Sequence, residues 1–115
     1  MGRASRNKGA VAERELAAIL SDELGRVIKR KLGQARDGGD DIQIGRFRIE
    51  AKRRETLALP AWSRQIEAAC SGDDVPVIAY RQNGQPWRVV LLLTDFLPLL
   101  RGELKPATEN QHDAA

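Results

Sequence analysis

The sequence predicts an α/β domain with a mixed central β-sheet flanked by helices. Three observations carry this. Residues 75–80 (VPVIAY) and, within 87–93, residues 89–93 are continuous apolar runs, the pattern of strands covered on both faces. Residues 8–24 and 60–70 place apolar side chains at helical spacing. Residues 42–44 and 47–51 alternate apolar and polar side chains about Gly45-Arg46, as a hairpin does. The element order, α-β-β-β-α-β-β-α, interleaves helices with strands, so one sheet with helical layers buries the apolar faces best.

Taken in order, residues 1–6 are polar and basic and read as a short flexible arm. Asn7 supplies an N-cap and Gly25 a stop for the first helix, whose apolar stripe is Ala12, Leu16, Ile19 and Leu20. Glu13 lies within roughly 60° of Leu16 on the helical wheel, which sets a carboxylate at the edge of that stripe. Arg14 and Glu15 point elsewhere. Residues 26–32, with Val27, Ile28 and Leu32 among four cations, predict a first strand, and residues 33–39 a polar, glycine-containing loop. The hairpin follows. Pro60 suits the first turn of a second helix with Trp62, Ile66, Ala69 and Cys70 on one side. Turns at 71–74 and 82–86 bound the strand 75–80 and precede the strand 87–93. Thr94 caps a last short helix over 95–100. Residues 1–102 form one domain, and residues 103–115 a polar, disordered tail.

Composition narrows the chemistry. At 115 residues the chain supports one core. Its apolar and charged fractions, 42% and 30%, are those of a soluble globular protein. The longest apolar run is too short to span a bilayer, and the polar, basic start is no secretory signal. One cysteine, Cys70, excludes a disulfide framework and a cysteine-rich zinc site. One histidine, His112 in the tail, argues against a histidine-based triad or metal centre. Residues 1–102 hold 18 Lys/Arg against 13 Asp/Glu, a net +5, whereas the tail is net −2. The basic domain favours a polyanionic partner, most simply nucleic acid. Aromatics at 4% disfavour a base-stacking platform, and Trp62 and Trp87 read as core or interface residues.

Within the hairpin region, residues 38–53, Asp40 and Asp41 stand where the first strand begins, and Glu50 and Lys52 project from one face of the second. Asp41 and Glu50 can converge at one end of the hairpin, with the Ala51 carbonyl between Glu50 and Lys52 as an added oxygen donor. Hard cations such as Mg²⁺ take such donors. Glu13 reaches the same point if the first helix packs beside the hairpin. Three neighbouring carboxylates raise one another's pKa, and a cation resolves the conflict. A metal held there lowers the pKa of a bound water, and Lys52 can orient that water or neutralise a phosphate. The competing reading is a solvated edge strand with surface ion pairs.

The sequence 8–16, KGAVAEREL, resembles the KGxxxERE-L opening of the archaeal Holliday junction resolvases and their phage relatives. Gly39-Asp40-Asp41-Ile42 and Ile49-Glu50-Ala51-Lys52 resemble the two motifs of the PD-(D/E)xK nuclease core, and the runs beginning at Pro76 and Trp87 are similar to its later strands. The resemblance spans residues 6–95 in order. It implies a restriction-endonuclease-like fold and a Mg²⁺-dependent endonuclease, with Mn²⁺ as a substitute, acting on four-way DNA junctions as a homodimer. No small-molecule cofactor is implied. The site would be Glu13, Asp41, Glu50 and Lys52, with metal held by Asp41, Glu50, the Ala51 carbonyl and Glu13. Asp40 occupies the position where the family usually has proline, so Asp40 competes with Asp41 as ligand. Asp41 is preferred because it directly precedes Ile42-x-Ile44. Arg6, Lys8, Arg30, Arg36, Arg53, Arg54 and Arg81 are candidates for phosphate contact, and Gln65 is a further candidate at the site. The resemblance also implies a cytoplasmic setting in a prokaryotic cell or phage-infected host. A nuclease of this fold on other branched or damaged DNA, or a non-catalytic DNA-binding protein, are the alternatives.

Overall fold

The computed structural model describes residues 2–31 and 41–104, with side chains from residue 9 onward. Four strands form one sheet in the order β1 (Ile42–Ile44), β2 (Phe47–Arg53), β3 (Val75–Arg81) and β4 (Arg88–Val90). β2 runs antiparallel to β1 and parallel to β3, and β4 runs antiparallel to β3, so the sheet is mixed. The hairpin turn holds Gly45 at φ 56°, a left-handed conformation that glycine adopts without a Cβ penalty.

Helix α1 (Gly2–Leu24) packs Leu16 and Ala17 on one face of the sheet, against Ile42, Ile49, Ala51 and Val77. Helix α2 (Leu59–Ala68) connects the parallel pair, as a parallel crossover requires, and buries Trp62 and Ile66 against Ile78 on the other face. Pro60 sits in its first turn. Side chains along β2 therefore divide between two cores: Ile49 and Ala51 go to the α1 side, whereas Glu50 and Lys52 face the α2 side. Ile42, Ile66 and Ile78 are the largest fully buried side chains, each stabilising by about 2–3 kcal/mol. Helix α3 (Leu93–Glu103) follows β4. Among the described residues, no helix is long and apolar enough to cross a membrane.

The α/β class and mixed flanked sheet agree with the sequence reading, but several elements differ. The expected strand over 26–32 is absent from its described part: residues 27–30 have no regular structure. Ser21 explains this, because its hydroxyl accepts from Ile28 N at 2.8 Å, so α1 holds a backbone group that a ladder would need. Val27 is 78% exposed, and the cations around it give no buried face. Residues 2–6 are the start of α1 and not a flexible arm, and Asn7 lies inside the helix. Alanine and arginine there favour helix. Ile19, expected in the stripe, is exposed, and Ala17 is buried in its place. The last strand is only three residues and largely exposed, since β4 is a sheet edge, not a central strand. α3 accordingly begins at Leu93, so Thr94 is not its cap, and it continues to Glu103.

Candidate active site

Register builds the site. Ile42 pairs with Ile49, so Asp41 stands opposite Glu50 one step beyond the end of β1. Asp41 N donates to Ile49 O at 2.8 Å, and the Asp41 carboxylate accepts from Ala51 N at 2.7 Å. The side chain thus stands in for a backbone acceptor where β1 pairing stops. Asp41 and Glu50 are 8% and 4% exposed, the buried acidic residues among those described. Lys52, two residues beyond Glu50 on the same face, closes a 2.9 Å ion pair with Glu50 Oε2. Its Nζ also lies 5.6 Å from the Trp62 ring centroid, so the indole of α2 backs the ammonium.

Burial pushes the Asp41 carboxyl up, and the Ala51 N–H pulls it down. Glu13 and Glu50 then raise it further against the pull of Lys52, leaving it at about 7. Glu13 therefore acts on the same point from α1, on whose wheel it falls between Leu20 and Ala17. Its carboxylate is held by Arg30 at 3.1 Å. Asp41 is thus the group that feels Glu13, Glu50 and Lys52 alike, and each of the four has a partner at hand: Arg30 for Glu13, the Ala51 amide for Asp41, and one another for Glu50 and Lys52. Among the described residues, no three acidic, histidine or cysteine side chains stand close enough to hold a metal as they are. The donor chemistry nonetheless suits a hard divalent cation: two buried, opposed carboxylates, one of them pushed up by burial and acidic neighbours, with the Ala51 carbonyl in the chain between Glu50 and Lys52.

The other expected residues are distributed differently. Arg6 and Lys8 lie in the first turns of α1, described as backbone. Arg36 and Asp40 lie outside the described residues. Arg53 donates to Asn83 Oδ1 at 3.3 Å, and Arg54 to Arg53 O at 3.1 Å, both neutral acceptors. Gln65 is exposed on α2. Arg81 is held by Glu15 at 3.1 Å and packs over the Trp87 ring.

Glu15 is the residue that sequence reasoning passed over. It also accepts from Trp87 Nε1 at 3.2 Å, so one carboxylate joins α1 to the end of β3 and to the residue before β4. Its partners are 66 and 72 residues away, beyond any local spacing signal.

A family model described as "Phage putative PDDEXK endonuclease" matches residues 4–112. No curated protein and no solved structure matches the chain. The family match covers nearly the whole sequence and brings with it both hairpin motifs, whose acids and lysine the register of β1 and β2 sets side by side. The chain belongs to this PD-(D/E)xK endonuclease family of phages.

Proposed function

We propose that the chain is a Mg²⁺-dependent, structure-selective DNA endonuclease that resolves four-way junctions by paired symmetric nicks, working as a homodimer. The observation that carries this is the buried cross-strand pair Asp41 and Glu50 with Lys52 locked beside it. Buried acids facing one another are costly to a fold, and cation binding offsets that cost. Asp41, Glu50 and the Ala51 carbonyl would hold the metal, with Mn²⁺ as a substitute, and Glu13 would join on leaving Arg30. When bound, the cation would neutralise a phosphate and lower the pKa of a water. Lys52 would donate to a phosphate oxygen or orient that water, steadied by Glu50 and the Trp62 ring. The products would carry 5′-phosphate and 3′-hydroxyl ends.

Asp41 is favoured over Asp40 as ligand because its carboxylate is tied to the Ala51 amide beside Glu50. Arg53 and Arg54, bonded to neutral oxygens, are the readiest phosphate contacts. Arg30 and Arg81 would exchange a carboxylate for a phosphate. Arg6, Lys8 and Arg36 complete the proposed DNA-binding set, and Gln65 is a further candidate at the site. Such contacts read backbone and shape, not base sequence. A junction with two-fold character needs two nicks, and a C2 pair of sites supplies them.

The test is direct. A four-way junction and a linear duplex of the same sequence are incubated with Mg²⁺ or Ca²⁺. Paired nicks in the junction with Mg²⁺ alone are expected. Equal cutting of linear duplex would remove junction selectivity. Binding without cleavage at any divalent metal would favour a non-catalytic DNA-binding protein.

A further inference from the structure

We infer that α3 and β4 form the surface on which a second copy of this chain docks, each α3 lying along its partner's β4. Leu93, Phe96, Leu97, Leu100 and Leu104 follow one another at the spacing of a single helical stripe, the pattern of a helix packed on a core. Yet no residue of α3 is buried, and none belongs to either core cluster. The stripe residues are 40–72% exposed, whereas Asp95, on the polar side, is the most covered residue of the helix. The apolar face is turned outward.

An 11-residue helix with Pro98 inside it is marginal by itself in water. Something must cover the stripe, and the rest of the sequence offers little. Outside the residues described with side chains, Met1 and Leu32 are the only large apolar residues. A second copy has what is missing. Val89, Val90, Leu91, Leu93 and Phe96 line an open apolar groove of about 540 Å³ beside the ridge of Leu97 and Leu100. Groove and ridge on one patch are self-complementary, as a two-fold interface requires. With Val89 included, the stripe presents roughly 600 Å² of exposed apolar surface, about three quarters of the roughly 800 Å² per partner of a stable complex.

This gives the two-copy assembly proposed above a location, but it is read from the surface and not from the chemistry. Light scattering on the full chain, without metal or DNA, measures it apart from any nicking assay. The expected mass is twice 12.7 kDa at micromolar concentration. Leu97→Glu/Leu100→Glu should give the single-chain mass with the near-ultraviolet signal of buried Trp62 retained. Val27→Glu, at a still more exposed apolar site off the patch, should stay dimeric. A single disulfide-linked dimer from Leu97→Cys in a Cys70→Ser background would support it without any loss of fold. A wild-type monomer, or a Leu97→Glu/Leu100→Glu protein that stays dimeric, would overturn it.

Discussion

Replacing Asp41 by asparagine should make the metal-free protein more stable while removing its cutting. The amide oxygen of the new side chain can still accept from the Ala51 N–H, so the ladder end is kept. What disappears is a charge buried beside Glu13 and Glu50. The carboxyl titrates at about 7 in the fold against an ordinary value near 3.8. Its ionised form is thus disfavoured by about 4 kcal/mol as an upper bound, at ~1.4 kcal/mol per pH unit. The sign follows from proton uptake. The folded state binds the proton more tightly, so the contribution of Asp41 to stability is most favourable below pH 4, falls as the pH rises towards 7, and levels off above it. Relaxation around the site reduces the figure, so a gain of about 1–3 kcal/mol at pH 8 is expected, or roughly 4–12 °C in melting temperature. Thermal melts of both proteins in EDTA at pH 4 and pH 8 measure it. The variant should melt higher at pH 8, with the gap closing at pH 4, and should lose most of the Mg²⁺-dependent rise expected of wild type. A variant that melts at or below wild type at pH 8, or a gap that ignores pH, would refute the buried repulsion.

Three further outcomes follow from contacts described above. Lys52→Ala should leave Glu50 buried without its ion pair, costing about 3 kcal/mol in denaturant titration, and should lower single-turnover cleavage about 10²–10³-fold. Glu15→Ala should cost about 1–2 kcal/mol by freeing Arg81 and Trp87, with a shift of Trp87 emission as a local readout. Burial pushes the Glu15 carboxyl up, but Arg81, Trp87 and the Arg53 charge outweigh it and hold it low, so this contribution should fade as pH falls below about 4.5. Ser21→Ala should cost about 1 kcal/mol and raise hydrogen exchange at Ile28, whose amide donates to the hydroxyl; unchanged exchange there would show that Ser21 does not hold the segment.

The parts of the fold that were legible in the sequence are those where one face is buried and the period is strict. Ile42, Ile44, Ile49 and Ala51 fix the hairpin register, because a one-residue slip would turn every one of them to the wrong face. VPVIAY reads as a covered strand, and its first five residues are buried. Pro60 marks the helix start that α2 has. Residues 27–30 were misleading because β-branched Val27 and Ile28 carry strand propensity, while the competing partner, the Ser21 hydroxyl, belongs to another element. The apolar run at 87–93 was misleading in another way: apolar character reports a need for cover, not where the cover comes from. In the candidate site, Asp41, Glu50 and Lys52 stand out in the sequence because they share one hairpin, and Glu13 because a carboxylate on an apolar stripe stands out. Glu15 does not, since nothing near it in sequence distinguishes a long-range ion-pair acceptor from a solvated charge.

The amide of Ala51 has a peculiar position in all this. A strand amide ordinarily senses only the ladder it belongs to, and its exchange follows the opening of the sheet. This one ends on the Asp41 carboxylate, so its nuclear resonance frequency and exchange rate are set by the protonation of an acid that faces Glu50. A ¹⁵N-labelled sample therefore carries a natural indicator: titrating pH should move the Ala51 cross-peak with the charge of Asp41, and, if Asp41 holds the proposed metal, adding a divalent ion should move it again as the carboxylate turns to a new partner. Occupancy can be followed at one backbone proton, without substrate, dye or mutation.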